Sequence, residues 1–160
     1  MRAFFIDDAW LEFEMEAVIF TGLQGSGKSS YYRDRFFSTH VRISLDLLRT
    51  RNREDRLLGL CLETQQKFVI DNTNPARADR AKYISRSKEA GLRVVGYYFR
   101  SKVDECLQRN EGRTDAVPDV AILSTAKKLE LPALDEGFDE LWYVRICDGG
   151  FVVEDWNDEV

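Results

Sequence analysis

Histidine, cysteine and proline are scarce in this chain, and long apolar runs are missing. His40 is the one histidine; it stands just before an apolar segment, where a surface or capping role is expected rather than catalysis. The three cysteines, Cys61, Cys106 and Cys147, are odd in number and too far apart to form metal-ligand pairs, so reduced thiols in a cytoplasmic setting are expected. No apolar stretch approaches the roughly 20 residues that a bilayer-spanning helix needs. Asp7, Asp8 and Glu12 interrupt any secretory pattern near the N-terminus. The three prolines do not cluster, and there is no Ser-rich linker, repeat or low-complexity tract. A chain of 160 residues with 44% hydrophobic content is the size and composition of one globular domain.

Basic charge is also in deficit, at a net −5, but unevenly so. Residues 1–16 carry five acids and one base, and residues 148–160 carry five acids and no base. The body between them holds 22 basic and 18 acidic residues and is rich in Arg. Such a body suits a phosphorylated ligand. A solvated mixed-charge surface explains the charge alone equally simply.

Apolar runs at 17–21, 41–44, 68–70, 93–99 and 141–146 read as strands. Asp148-Gly149-Gly150 is a turn signal before a sixth, at 151–153. Helical sequence fills 28–37, 54–67, 76–90 and 102–110, and begins again at Pro118, with Gly91 closing the third helix. Strands alternating with helices imply an α/β fold with a mostly parallel sheet of about five strands, covered on both faces.

One segment carries chemistry outright. Gly22-Leu23-Gln24-Gly25-Ser26-Gly27-Lys28-Ser29 fits G-x-x-x-x-G-K-[ST], with a strand running in and a helix running out. Gly22, Gly25 and Gly27 let successive N–H groups face one anion, and the helix N-terminus adds its dipole. Ser26, Lys28, Ser29 and Ser30 complete a site for ATP, with Lys28 on the β and γ phosphates and Ser29 on Mg²⁺.

Ligands of open α/β sheets bind beyond the carboxyl ends of the strands, and two acids lie there. Asp46 follows the second strand and can accept a proton from a hydroxyl, or cap the next helix. Asp71 follows the third; it can hold a Mg²⁺-bound water, or simply turn the chain in Asp-Asn-Thr-Asn-Pro. Arg109 and Arg113, four apart beside Gly112, can form a lid over transferring phosphates, or a solvated connection.

Val69-Ile70-Asp71-Asn72-Thr73-Asn74-Pro75, followed by Arg80, Tyr83 and Ala90-Gly91, resembles the kinase domain of polynucleotide 5′-hydroxyl kinases, especially the kinase half of two-domain kinase–phosphatases. Leu131-Pro132 and Glu136-Gly137-Phe138 resemble that family too, and the spacing agrees from about 17 to 147. The resemblance implies a P-loop kinase fold over 17–147, between an N-terminal extension at 1–16 and an acidic tail or edge strand at 148–160. It implies transfer of the γ-phosphate of ATP to a nucleic-acid 5′-OH, Asp46 as general base and Arg109 and Arg113 as lid arginines. Leu45 stands where the family usually has a basic residue before the base; Arg49, one helical turn after Asp46, matches an arginine found in some members and is expected to take over a contact to substrate phosphate. No D-x-D-x-[TV] motif occurs, so a kinase without 3′ repair is expected. A small-molecule kinase and a nucleotide-binding regulatory ATPase are the alternative readings. Trp10, Trp142 and Trp156 are expected to be packing residues.

Overall fold

The computed structural model describes residues 15–157. Trp10 and nearly all of the N-terminal extension lie outside them. A six-stranded sheet runs through the middle in the order β2-β3-β1-β4-β5-β6. Strands β1 (Glu16–Thr21), β2 (Val41–Ile43), β3 (Phe68–Ile70), β4 (Arg93–Phe99) and β5 (Glu140–Cys147) are parallel, and β6 (Gly150–Asp155) closes the far edge antiparallel to β5. To the five parallel strands is added the sixth that the Asp148-Gly149-Gly150 turn signalled, longer than 151–153 because the turn returns the chain along β5.

Strand alternation divides the core. Ala17, Ile19, Ile43, Phe68, Ile70 and Val94 pack on one face with Leu58, Cys61, Tyr83 and Ile84, from helices α3 (Arg51–Thr64) and α4 (Arg77–Glu89). Val18, Phe20, Val69 and Phe99 pack on the other with Tyr31 and Tyr32 of α1 (Lys28–Arg35). Both faces of β1 are buried, so its sequence is a continuous apolar run rather than an alternating one. Leu23, Cys106 and Ile122 form a third cluster with α5 (Val103–Glu111) and α6 (Asp119–Lys128).

Three local expectations need correction. A four-residue helix, α2 (Leu45–Leu48), precedes α3 and is too short to leave a periodic signature. Helix α3 starts at Arg51, where the Thr50 side chain accepts the Arg53 N–H, and stops at Thr64 because Gln65 turns left-handed. His40 is buried rather than on the surface, its Nε2 2.9 Å from Glu16 Oε1 at the start of β1. Trp142 and Trp156 pack against the two main clusters. Among the described residues, no helix is long and apolar enough to cross a membrane.

Candidate functional site

The loop between β1 and α1 is held at several points. Gly22 donates its N–H to Thr73 O at 3.0 Å, Leu23 donates to Ser101 Oγ at 3.0 Å, and Gln24 Nε2 reaches Thr125 Oγ1 on α6 at 3.1 Å. Gly25 and Gly27 have φ of +81° and +101°, and a Cβ on Gly25 would lie 2.8 Å from Cys106 O. Other residues would be strained at both places. Lys28, at the start of α1, is buried and donates to Gly22 O at 2.9 Å and Leu23 O at 2.7 Å. Burial of its ammonium lowers its pKa to about 8, against the opposing pull of Asp71 and Asp46. Ser26 is buried behind the loop, and Ser30 is exposed, accepting from Arg33 at 3.3 Å. A curled backbone, a helix N-terminus and a cation that gains by meeting negative charge are what a polyphosphate needs.

Asp71 lies just past β3, buried, and its Oδ2 accepts the Ser29 hydroxyl at 3.0 Å. Two hard oxygen donors about 3 Å apart match neighbouring corners of a Mg²⁺ octahedron with bonds of roughly 2.1 Å. No group of three or more His, Cys, Asp or Glu among the described residues forms a metal cage. Ser29 and Asp71 therefore fit an ion that arrives with phosphates, the usual manner for Mg²⁺. Sequence reasoning missed a third member, Arg42 of β2. Its Nε donates to the same Asp71 Oδ2 at 2.8 Å and its Nη2 to Ser29 Oγ at 3.1 Å.

Asp46 stands in the first turn of α2 and is exposed; Ser44, not Asp46, is the N-cap. It is close enough to Lys28 to support that ammonium's charge. Arg49 caps α2 at φ +72° with its side chain exposed. The helix is tied to the end of β3 by Asn72, whose Oδ1 accepts the Leu45 N–H at 2.9 Å. Asn72 Nδ2 in turn donates to Glu54 Oε2 at 2.9 Å. Glu54 is fully buried and its Oε1 accepts from Tyr83, Lys82 and Arg51 at 2.8, 3.1 and 3.1 Å. Burial alone would push its carboxyl up, but hydrogen bonds from Tyr83, Lys82 and Asn72 outweigh that and hold it below the usual range. Beside α2 opens a cleft of about 440 Å³, with Leu45, Arg51, Asn72, Lys82 and Lys128 in its wall.

Arg109 projects from α5 onto the loop, its Nη1 2.9 Å from Gly25 O. Arg113 is exposed and pairs with Asp115 through Nε and Nη2 at 3.1 and 3.0 Å, holding that carboxyl below its usual range. Its charge still reaches Lys28, which it disfavours. Asn110 closes the intervening segment by exchanging two hydrogen bonds with the Val117 backbone, at 2.7 and 3.0 Å. Lys28, Ser29, Asp71 and Arg109 are thus in or against the loop. Asp46, Arg49 and Arg113 are exposed, and the charges of Asp46 and Arg113 reach Lys28.

A family model described as an AAA domain matches residues 18–132. The bifunctional polynucleotide phosphatase/kinase of Schizosaccharomyces pombe is 25% identical over 129 residues, covering 77% of this chain and 32% of that protein. A putative bifunctional polynucleotide phosphatase/kinase of Acanthamoeba polyphaga mimivirus is 27% identical over 135 residues, covering 79% and 32%. The chain therefore spans about a third of the length of these curated relatives. Among solved structures, a gluconokinase from Sinorhizobium meliloti 1021 superposes with a TM-score of 0.59 at 19% identity, covering 84% of this chain and 85% of that one. At that identity the likeness speaks for the fold, which is the α/β fold of P-loop kinases.

Proposed function

The chain belongs to the AAA domain family, and we propose that it is an ATP-dependent kinase whose acceptor is the 5′-hydroxyl of a nucleic acid. The observation that carries this reading is the electrostatic proximity of Asp46 to Lys28 of the phosphate loop. An exposed carboxylate stands within electrostatic reach of Lys28, on a helix pinned by Asn72 to the strand end that also presents Asp71. Resemblance of the Val69–Pro75 segment to polynucleotide kinases, and the names of the two relatives, support the nucleic-acid acceptor.

In this reading the loop N–H groups and the N-terminus of α1 bind the triphosphate. Lys28 exchanges the Gly22 and Leu23 carbonyls for phosphate oxygens. Arg109 gives up Gly25 O, and with Arg113 it neutralises charge on the moving phosphoryl group. Asp46 takes the proton of the acceptor hydroxyl as its oxygen bonds to the γ-phosphorus and the bond to the ADP oxygen breaks. Ser29 and Asp71 would hold Mg²⁺, which would supply positive charge to neutralise the triphosphate.

A second reading, with a small neutral acceptor, rests on Leu45. This position before the base carries no positive charge, and its N–H is committed to Asn72. One experiment separates the readings. The protein is incubated with γ-labelled ATP and 5′-OH DNA and RNA oligonucleotides, single- and double-stranded, beside neutral polyol acceptors. Label at oligonucleotide 5′ ends, with binding that weakens steeply as salt rises through counterion release, is the expected result. Label on the polyols alone would favour the second reading. ATP binding with no acceptor-dependent ADP release would point to a regulatory module and overturn both.

A further inference from the structure

Arg42 is out of place by composition. A strand in a parallel sheet with helices on both faces reads as apolar, and β2 is Val-Arg-Ile. Val41 and Ile43 join the core on the α3 side. Arg42 pairs in register with Val69, which faces α1, and Asp71, two residues beyond Val69, projects to that same face. The Arg42 side chain is long enough to run up the sheet to the strand end. There it makes a closed triangle, with Arg42 Nε to Asp71 Oδ2, Arg42 Nη2 to Ser29 Oγ, and Ser29 Oγ to Asp71 Oδ2, at 2.8, 3.1 and 3.0 Å. The Asp71 side chain is 1% exposed and the Arg42 side chain 29%. The guanidinium carbon also lies 5.9 Å from the Tyr32 ring centre.

The two oxygens that Arg42 engages are the two that fit a divalent ion. A guanidinium and Mg²⁺ compete for them, because both are positive and both draw on the lone pairs of the same two oxygens. We propose that Arg42 is a resident, displaceable cation of the metal position. It keeps Asp71 neutralised and Ser29 oriented, and it yields when a divalent ion arrives with nucleotide. Its partial exposure gives it somewhere to go, and the Tyr32 ring stays in contact with it during the exchange. Arg42 thereby raises the divalent concentration the site requires, and it supports binding of nucleotide that carries no divalent ion. The inference rests on the reading that the loop takes a metal–nucleotide.

The test compares the wild-type protein with Arg42→Met, which keeps the stem and removes the charge, and with Arg42→Lys, which keeps it. The probes are Mn²⁺ and the non-hydrolysable β,γ-imido analogue of ATP. Free Mn²⁺ is followed by electron paramagnetic resonance, and nucleotide affinity is measured calorimetrically with Mn²⁺ or with EDTA. Displacing charge-assisted hydrogen bonds is a matter of about tenfold or more in affinity. Arg42→Met is therefore expected to bind Mn²⁺ with a midpoint about tenfold lower than wild type. In EDTA the same variant binds the nucleotide about tenfold more weakly, while Arg42→Lys stays near wild type in both. Damage to the fold would weaken both measurements together and cannot produce opposite shifts. If Arg42→Met fails to fold, as judged by circular dichroism, Arg42→Gln takes its place with the same expectation. Equal Mn²⁺ midpoints, or a weaker one in the neutral variants, would overturn this inference alone. Absence of nucleotide binding in every protein would overturn the proposed function with it.

Discussion

Asn72 accepts the backbone N–H of Leu45 on Oδ1 at 2.9 Å, so the residue that follows Asp71 fixes the residue that precedes Asp46. This amide joins the bond from the Asp71 N–H to Ile43 O, at 2.8 Å, in holding the two acids of the proposed chemistry in one frame. Asn72→Ala is expected to loosen α2 and misplace Asp46 while leaving the phosphate loop intact. A displacement near 1 Å can cost about 10²-fold in rate. Steady-state kinetics should show that loss in kcat with ATP affinity unchanged; an equal loss in ATP affinity would mean that Asn72 supports the loop instead.

Asp46 itself is exposed. Asp46→Asn should therefore fold and bind ATP normally, with transfer slowed by about 10²–10⁴-fold. Single-turnover assays on prebound ATP read the chemical step directly, and near-full turnover in the variant would remove Asp46 from its role.

Lys28 makes nucleotide binding depend on pH. Burial of its ammonium lowers its pKa from 10.5 to about 8, so between those values the folded chain binds fewer protons than the unfolded one. Stability attributable to this residue accordingly rises as pH climbs from about 8 toward 10.5. Phosphate beside Lys28 restores the charged form, so nucleotide binding at pH 9 should take up on the order of one proton, and affinity should fall as pH rises above about 8. Calorimetry in two buffers of different ionisation heat measures that uptake. Its absence in wild type, or its persistence in Lys28→Met, would contradict the assignment.

Arg80 is fully buried and grips Glu136, 3% exposed, through Nε at 2.8 Å and Nη2 at 2.7 Å. Its Nη1 also donates to Asn74 O at 3.0 Å, which steadies the segment after β3. Arg80→Met should destabilise the fold by about 3–5 kcal/mol because a carboxylate is left buried and unpaired. Urea unfolding checks this, and adding Glu136→Leu should recover part of the loss. If the double variant is no better than the single one, the cost lies in lost packing and backbone contacts.

The phosphate loop and Asp71 were legible from sequence because their signals are local. Glycine spacing, a strand before and a helix after are written within a dozen residues, and Asp71 follows a short apolar run. The course of β6 was partly legible from Asp148-Gly149, though the strand extends to Asp155. Helix α2 was not, because four residues cannot display a period of 3.6. Arg42 and Glu54 were not either, and Arg80 stood out only through the family resemblance, without its partner. As isolated charges they look like any solvated residue, and the Asp71, Tyr83 and Glu136 that they bond are 29, 29 and 56 positions away in sequence.

What the sequence determined by itself is the alternation of strands and helices, the glycine-rich turn after β1 and which residues end at the carboxyl edge of the sheet. Each follows from backbone conformation and short-range periodicity, which neighbouring residues dictate. Only the tertiary structure decided how the site is wired. Sheet order sets β2 beside β3, register sets Arg42 beside Val69, and the pleat turns Arg42 and Asp71 to one face. Whether a charge is solvated, paired or lodged at a metal position depends on those long-range pairings, and no local pattern encodes them.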